Sequence, residues 1–452
     1  VPPSAAARPA AVDRSLFDYL ASEIIDEMPI ALHDFMVRSS VLPVLTAATA
    51  AAVTGDARAA QRLDEIERRG LFVTTLDADE RTLVLHDLYL DALEDRLRKR
   101  FPDELPLLLR RAATIERDPL RRVSLQLRAG DWAAAEATLV AESDELLLQG
   151  LGAETSRVIA AFPAGWREQS PRLLRIDAIA ECMRWRWNVM ASLLEASVEA
   201  ARLRGEDEEL RLSQGMLLAA WNATGQAARS DALLVELEGR PLPPLAEMLA
   251  LDARCSLHFQ RGEFDALRVR FEQVMQRLVA LDSLFAWWMV SPPTAWAAIP
   301  GVGTLVERYC AEALRRCGER ELPMRATLHA LQAATLLWSG HIDAAAEQAT
   351  EAESDARWLA RAPEIEVGLH SVRVFVDALR GDTGAVQRRL ELLLHHEDGA
   401  AGPDRLRFWR ANIARVAVRV LDLIGADAAA LRHWQAWHPA PAQEGVPDPL
   451  QA

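Results

Sequence analysis

The chain has 452 residues, 50% of them hydrophobic, and a formal net charge of −15. That length can supply two or three domains with sizeable cores, and the acidic balance argues against nucleic-acid binding as its dominant surface property. Lys99 is the sole lysine, which excludes a Walker A phosphate loop and leaves no other lysine for Schiff-base chemistry.

The start, Val1-Pro-Pro-Ser-Ala-Ala-Ala-Arg-Pro9, has no apolar h-region, and no run of about 18 apolar residues suggests a membrane span. Residues 1–14 read as a linker, and the absence of an initiator Met is what a truncated or processed chain would show. Four short amphipathic segments follow: Ser15 to Glu27, Pro29 to Arg38, Pro43 to Val53 and Asp56 to Arg69. Ser15 and Asp18 make a capping box, Pro29 and Pro43 can each start a helix, and Gly70 suits a left-handed C′ position. Leu71-Phe-Val-Thr-Thr-Leu76 and Arg81-Thr-Leu-Val-Leu85 are β-prone runs separated by the polar Asp77-Ala-Asp-Glu80, a hairpin that feeds a helix. Helices followed by a two-stranded wing describe a winged helix. Arg96-Leu-Arg-Lys-Arg100 and Arg110-Arg111 read as a solvated basic face rather than a DNA surface.

The stretch from Ser15 to Ala113, with LFDYLASEIIDEMPIALHDFMVRSSVL and LDEIERRGLFVTTLDADERTLVLHDLYLDALEDRL, resembles the winged-helix segment of STAND-class regulators of the MalT type (LuxR C-terminal family). The resemblance implies a winged helix that serves as a lid behind a nucleotide-binding module rather than as a DNA reader. It also implies that Leu85-His86-Asp87 stands where the family's Met-His-Asp-like triplet places a histidine near the β-phosphate of bound ADP. Imidazole can donate to a phosphate oxygen whether neutral or charged. The competing reading of His86 is a junction histidine with Asp87 capping the helix. The ATPase module is expected outside the chain, so no cofactor is expected here and ATP or ADP only in the full-length protein.

After Pro119 no strand run appears, and Ala, Leu, Glu and Arg recur with helical spacing. A phrase punctuates them: Ala129-Gly-Asp-Trp-Ala-Ala-Ala135, Thr224-Gly-Gln-Ala-Ala228, Arg261-Gly-Glu-Phe-Asp-Ala266, Ser339-Gly-His-Ile-Asp-Ala-Ala345, Arg380-Gly-Asp-Thr-Gly-Ala385 and Ile424-Gly-Ala-Asp-Ala428. The glycines at 225, 262, 340, 381 and 425 stand 37, 78, 41 and 44 residues apart, giving a unit of about 40 residues with one copy drifted or interrupted. Each phrase reads as the turn of a helical hairpin, in which Gly ends one helix and an acid caps the next. No hairpin can bury its apolar face alone, so the units stack into a solenoid with a concave surface. The array is similar to a degenerate tetratricopeptide repeat, as in the sensor region of MalT-type regulators. The expected fold is mainly α: a winged-helix domain over 15–118, an α-α superhelix (TPR-like solenoid) over 119–438 and a Pro-rich tail over 439–452.

All 13 tryptophans lie after residue 131. In a helix entered at Leu281, Leu284, Phe285 and Trp288 share a face while Trp287 points roughly 100° away. Trp187 aligns with Ile176, Ile179, Met183 and Met190, against Trp185 on a neighbouring face. Such tryptophans either serve helix–helix contacts, or Trp185, Trp287 and Trp296 line a groove and stack on a small effector, with Arg184 or Arg186 supplying charge. Ser291-Pro-Pro-Thr294 must break its helix and Ile299-Pro-Gly-Val-Gly303 is another flexible stretch, at the place where the phrase is missing. The Gly-Val-Gly fragment is too short for a phosphate loop.

Cys182, Cys255, Cys310 and Cys317 fit neither a metal pattern nor a disulfide framework, so reduced thiols in a cytoplasmic protein are expected. His395-His396 is a weak metal candidate, and no GxSxG, HExxH or paired-carboxylate spacing points to an enzyme. The expected function is the effector-sensing and signal-transmitting region of a bacterial STAND regulator. Its expected partners are a small inducer or regulatory protein and the protein's own nucleotide-binding module, with DNA bound only through a region outside this chain. The alternative is a TPR-like protein–protein interaction scaffold with no effector switch.

Overall fold

A computed structural model describes residues 28–42, 44–69, 73–77, 82–85, 87–184, 186–358, 363–398 and 407–436. The segments expected at Ser15 to Glu27 and at Gly70, together with the tail over 439–452, lie outside these residues. Two compact units divide between Glu142 and Ser143, inside the second helix beyond the point where the repeats were expected to begin.

In the first unit, Pro29 precedes the helix Ile30–Ser39, as its fixed φ favours. Leu32, Phe35 and Met36 recur at helical spacing and are buried, while Ile30 faces solvent. The helix start expected at Pro43 lies outside the described residues. Val44–Leu45 is a short strand, β1, and Thr46 caps the helix Ala47–Thr54. The Thr49 amide donates to the Thr46 hydroxyl at 3.1 Å and the Thr46 amide to the Thr49 hydroxyl at 3.0 Å, a reciprocal box that satisfies two donors at once. Gly55, at φ 75°, ends that helix. Asp56 accepts the Arg58 amide at 2.8 Å ahead of the helix Ala59–Arg68.

The expected hairpin forms as β2 (Val73–Asp77) and β3 (Thr82–Leu85), and β1 adds a third antiparallel strand in the order β1-β3-β2. Two residues carry no periodicity, so β1 was not legible in the sequence. Its register pairs Leu45 with Leu83, both buried, and Val44 with Val84. Leu93 and Leu97 of the helix Asp87–Arg100 and Leu108, Leu109 and Ala112 of the helix Leu105–Ile115 complete the core. Leu125 and Ala129 join it as well, so the helix Pro119–Arg128 packs with this unit. Arg38 fixes helix Ile30–Ser39 to the chain ahead of Leu105, donating Nε and Nη2 to Glu104 at 2.7 and 3.1 Å. The basic run is a paired face: Arg98 meets Glu94 and Lys99 meets Asp95, each at 2.6 Å.

Every described element of the second unit is helical, forming the α-α superhelical part of the fold. All six phrase glycines, at 130, 225, 262, 340, 381 and 425, have φ between 71° and 82°. At each, the glycine amide bonds back three residues and the next amide bonds back five, as Gln226 does to Trp221 at 2.8 Å and His341 to Leu336 at 2.9 Å. This is the left-handed helix stop that the phrase predicts. The acid caps are less regular. Asp382 accepts the Ala385 amide at 2.9 Å, but Glu263 makes no cap and holds His258 at 2.6 Å instead.

Hairpins pair Pro171–Cys182 with Trp187–Arg204, Asp207–Ala223 with Ala227–Leu237, and Pro244–Gln260 with Phe264–Leu281. Further along, Pro323–Trp338 pairs with Ile342–Trp358, Pro363–Leu379 with Thr383–Asp398, and Arg407–Leu423 with Asp427–Ala436. The interrupted copy is filled by a six-residue helix Leu284–Met289, the 3-10 turn Thr294–Ala298 and the helix Gly303–Cys317. That 3-10 turn packs against Pro323–Trp338.

Candidate functional site

The broken repeat opens the second unit. Because Ser291 to Pro293 cannot continue the helix Leu284–Met289, the chain leaves the helix there, and Met289, Ser291 to Thr294 and Trp296 line a space beside the hairpins. A cavity of about 190 Å³ results, walled by Trp187, Asn222, Asp252, Phe259, Met289 and Trp296 together with the break itself. An adjoining groove of about 500 Å³ shares Phe259, Gln260, Thr294 and Gly368 with it and is lined further out by Phe264, Trp338, Phe375 and Arg419. Trp338 sits edge-on to Phe375 at 5.6 Å, and the Arg419 guanidinium lies 5.8 Å from the Trp338 ring.

Among the described residues, Asp252 is the one ionisable side chain in the lining of the inner cavity. Asp252 is half-buried by surface exposure and forms part of the cavity wall. Burial alone pushes it up to about 7, because the charged form has lost water without gaining a cation. Burial likewise raises the thiol of Cys255, with the negative charge of Asp252 adding to the effect, and it raises the phenol of Tyr309, so both stay protonated near neutrality. Asn222 donates through Nδ2 to the Ala253 carbonyl at 3.2 Å, while its Oδ1 has no partner. The indole N–H groups of Trp187 and Trp296 are also unpartnered. A small concave space with aromatic walls and a few polar groups is suited to holding a small molecule.

The tryptophans are distributed differently from the sequence reading. Trp287 is 0% exposed and Trp296 1% exposed, so both are core residues rather than stacking platforms on an open face. The Trp287 ring packs on Tyr309 at 5.2 Å and lies under the Arg316 guanidinium at 5.3 Å, and its carbonyl accepts the Tyr309 hydroxyl. Trp296 meets Phe271 edge-on at 5.2 Å and gives the cavity almost none of its surface. Trp288 is only partly buried and packs on Phe285 at 5.7 Å. Phe285 is buried as expected, but Trp287 is buried more deeply than Trp288 because no single helix runs through Leu281 to Trp288. Asp282 adopts φ 46°, and a new helix begins at Leu284 under a Ser283 cap.

A break also separates Cys182 from Trp187, so Ile176 and Ile179 do not share one helix with Trp187, whereas Met190 does. Arg184 and Arg186 both reach Glu181, at 3.1 Å each, and hold that buried carboxylate. Trp185 and His86 lie outside the described residues, as do the side chains of His395 and His396. Trp187, Met289 and Thr294 line the cavity, which lies at the break.

Asp252 and Asn222 were not singled out from the sequence. A signal existed for Asp252: its helical neighbours Met248, Leu249 and Cys255 are apolar, which places a carboxyl on a buried stripe.

Residues 21–105 match the family of the MalT winged helix domain. The matched span covers the helix Ile30–Ser39, all three strands, the helix Asp87–Arg100 and the position of His86. The chain therefore carries a MalT-like winged-helix region.

Proposed function

We propose that this chain, with a MalT-like winged helix joined to a helical superhelix, is the effector-sensing and signal-transmitting region of a bacterial STAND-type transcriptional regulator. On this reading the superhelix is a TPR-like sensor in a cytoplasmic, non-enzymatic chain. A small effector occupies the cavity at the broken repeat, and the winged helix passes the event to a nucleotide-binding module of the same protein, with His86 near the ADP phosphates. The observation that carries the reading is the cavity itself, because a uniform stack of hairpins has no need of an interrupted copy that leaves such a space.

The test fills that space. Ala219 lies in the cavity wall, and Ala219→Phe should abolish effector-dependent transcription from the full-length regulator while leaving the melting temperature of the protein within a few degrees of wild type. Unchanged induction by the variant would refute the reading. His86→Ala in the full-length regulator should loosen bound ADP by about 1–3 kcal/mol, the worth of a donor to a charged acceptor, read as nucleotide retained through purification. Unchanged retention and unchanged basal transcription would leave His86 a junction residue.

The open groove beside Trp338, Phe375 and Arg419 favours a second reading, a scaffold that holds a protein segment. In that case Trp338→Ala would abolish function and Ala219→Phe would not.

A further inference from the structure

We propose that the inner cavity takes a small organic cation, its ammonium group on the Asp252 carboxylate and its apolar body against Phe259, Met289 and Trp187. The proposal rests on reading the cavity as the effector site and adds the chemical class of the effector.

Three observations lead to it. The first is the isolation of Asp252. Elsewhere in the second unit several buried and half-buried carboxylates are matched with arginine: Glu209 with Arg175, Glu181 with Arg184 and Arg186, and Asp377 with Arg389. Among the described residues Asp252 makes no ion pair, and no Arg, Lys or His lines the cavity around it, although the chain has 51 basic residues. A buried carboxyl without a cation costs stability, and a ligand that brings the cation relieves that cost.

The second is the chemistry of the walls. Aromatic faces attract cations through their quadrupole, and Phe259 and Trp187 flank the space. The unpartnered N–H groups of Trp187 and Trp296 are sealed from solvent, so what these side chains turn to the cavity is not a donor. The Oδ1 of Asn222 is sealed in the same way, which leaves the Asp252 carboxyl as the charged group in the cavity wall. Cys255 and Tyr309, the titratable neighbours of Asp252, are held neutral by burial, so no other charge competes for the site.

The third is size. A cavity of roughly 150 Å³ is enough to hold benzene, and this one measures about 190 Å³. An ammonium ion with a body of that size fits, whereas a nucleotide does not.

The experiment uses the chain as described and three probes of one shape: benzylammonium, benzyl alcohol and benzoate, each titrated by calorimetry. Benzylammonium should bind saturably, and the alcohol and benzoate should bind about tenfold or more weakly, the factor that one charge-assisted contact gives. Asp252→Asn, similar in shape and free of the buried charge, should lose benzylammonium binding by about the same factor while melting no lower than wild type. Affinity for benzylammonium should rise about tenfold per pH unit up to about 7 and then level off, because the ligand binds the ionised carboxyl.

The proposal is overturned if benzylammonium does not bind, if either neutral or anionic probe binds as tightly, or if Asp252→Asn keeps its affinity. Ala219→Phe separates the site from the class of its ligand. If benzyl alcohol binds as tightly as benzylammonium and is lost in Ala219→Phe, the cavity stands as a ligand site and the cationic class falls. If benzylammonium binding survives Ala219→Phe, the ligand is elsewhere and both readings fall.

Discussion

Asp252 shows how one side chain can set both the stability and the ligand preference of a site. Its folded-state value, about 7 against an ordinary 3.8, is raised, so it contributes nothing unfavourable while protonated in both states. The cost appears as pH rises above about 4, where the unfolded chain ionises first, and is complete above about 7. Asp252→Asn should therefore leave stability near that of wild type at pH 4 and raise it at pH 8. The gain is at most about 4 kcal/mol, because each pH unit between the two ionisations is worth about 1.4 kcal/mol. Thermal melts at the two pH values check the sign, and a variant less stable than wild type at pH 8 would mean that Asp252 has a partner.

The tryptophans give a second prediction at this scale. Trp287→Ala removes a fully buried ring packed on Tyr309 and should cost about 3–5 kcal/mol. Trp288→Ala removes a partly buried ring and should cost less than half of that. Denaturant midpoints of the two variants decide the order.

At the scale of elements, the chain separates two uses of glycine. Gly340 stands at φ 82° with nothing within 4 Å of where a Cβ would lie, so its role is backbone conformation alone. Gly215 is inside the helix Asp207–Ala223, and a Cβ there would lie 2.9 Å from the Cα of Ala246 on the helix Pro244–Gln260. Gly340→Ala should cost about 1 kcal/mol, the penalty for a left-handed alanine. Gly215→Ala should cost about 1–3 kcal/mol, because two helix backbones must move apart. Urea unfolding of both variants, with Gly215→Ala shifted further, is the expected result. The phrase that marks Gly340 could be read from the sequence. Gly215 has no such context, because its requirement comes from a helix roughly 30 residues away in the chain.

At the scale of the molecule, two compact units with separate cores predict more than one unfolding step by calorimetry. Trp287→Ala, which removes a buried ring from the core of the second unit, should lower the step that belongs to that unit and leave the other in place. A single transition that shifts as a whole would show the units to be thermodynamically coupled.

The sequence by itself determined those features whose cause is local. Helical periodicity, the left-handed glycine of each phrase, the pairing of β2 with β3 and the helix break at Ser291-Pro-Pro-Thr294 all depend on a few adjacent residues, and each stands where its residues place it. The winged-helix resemblance was legible for the same reason, and the match over residues 21–105 bears it out. Tertiary structure alone decided the rest. β1 is two residues long and exists only because β3 offers it an edge. The roles of Trp287 and Trp288 depended on a left-handed Asp282 that resets the helical phase, so periodicity carried across that break no longer says which ring is buried. Asp252 became a candidate site residue only when hairpins distant in sequence closed around it and brought no cation, since the charge state of a buried group is set by what surrounds it in space.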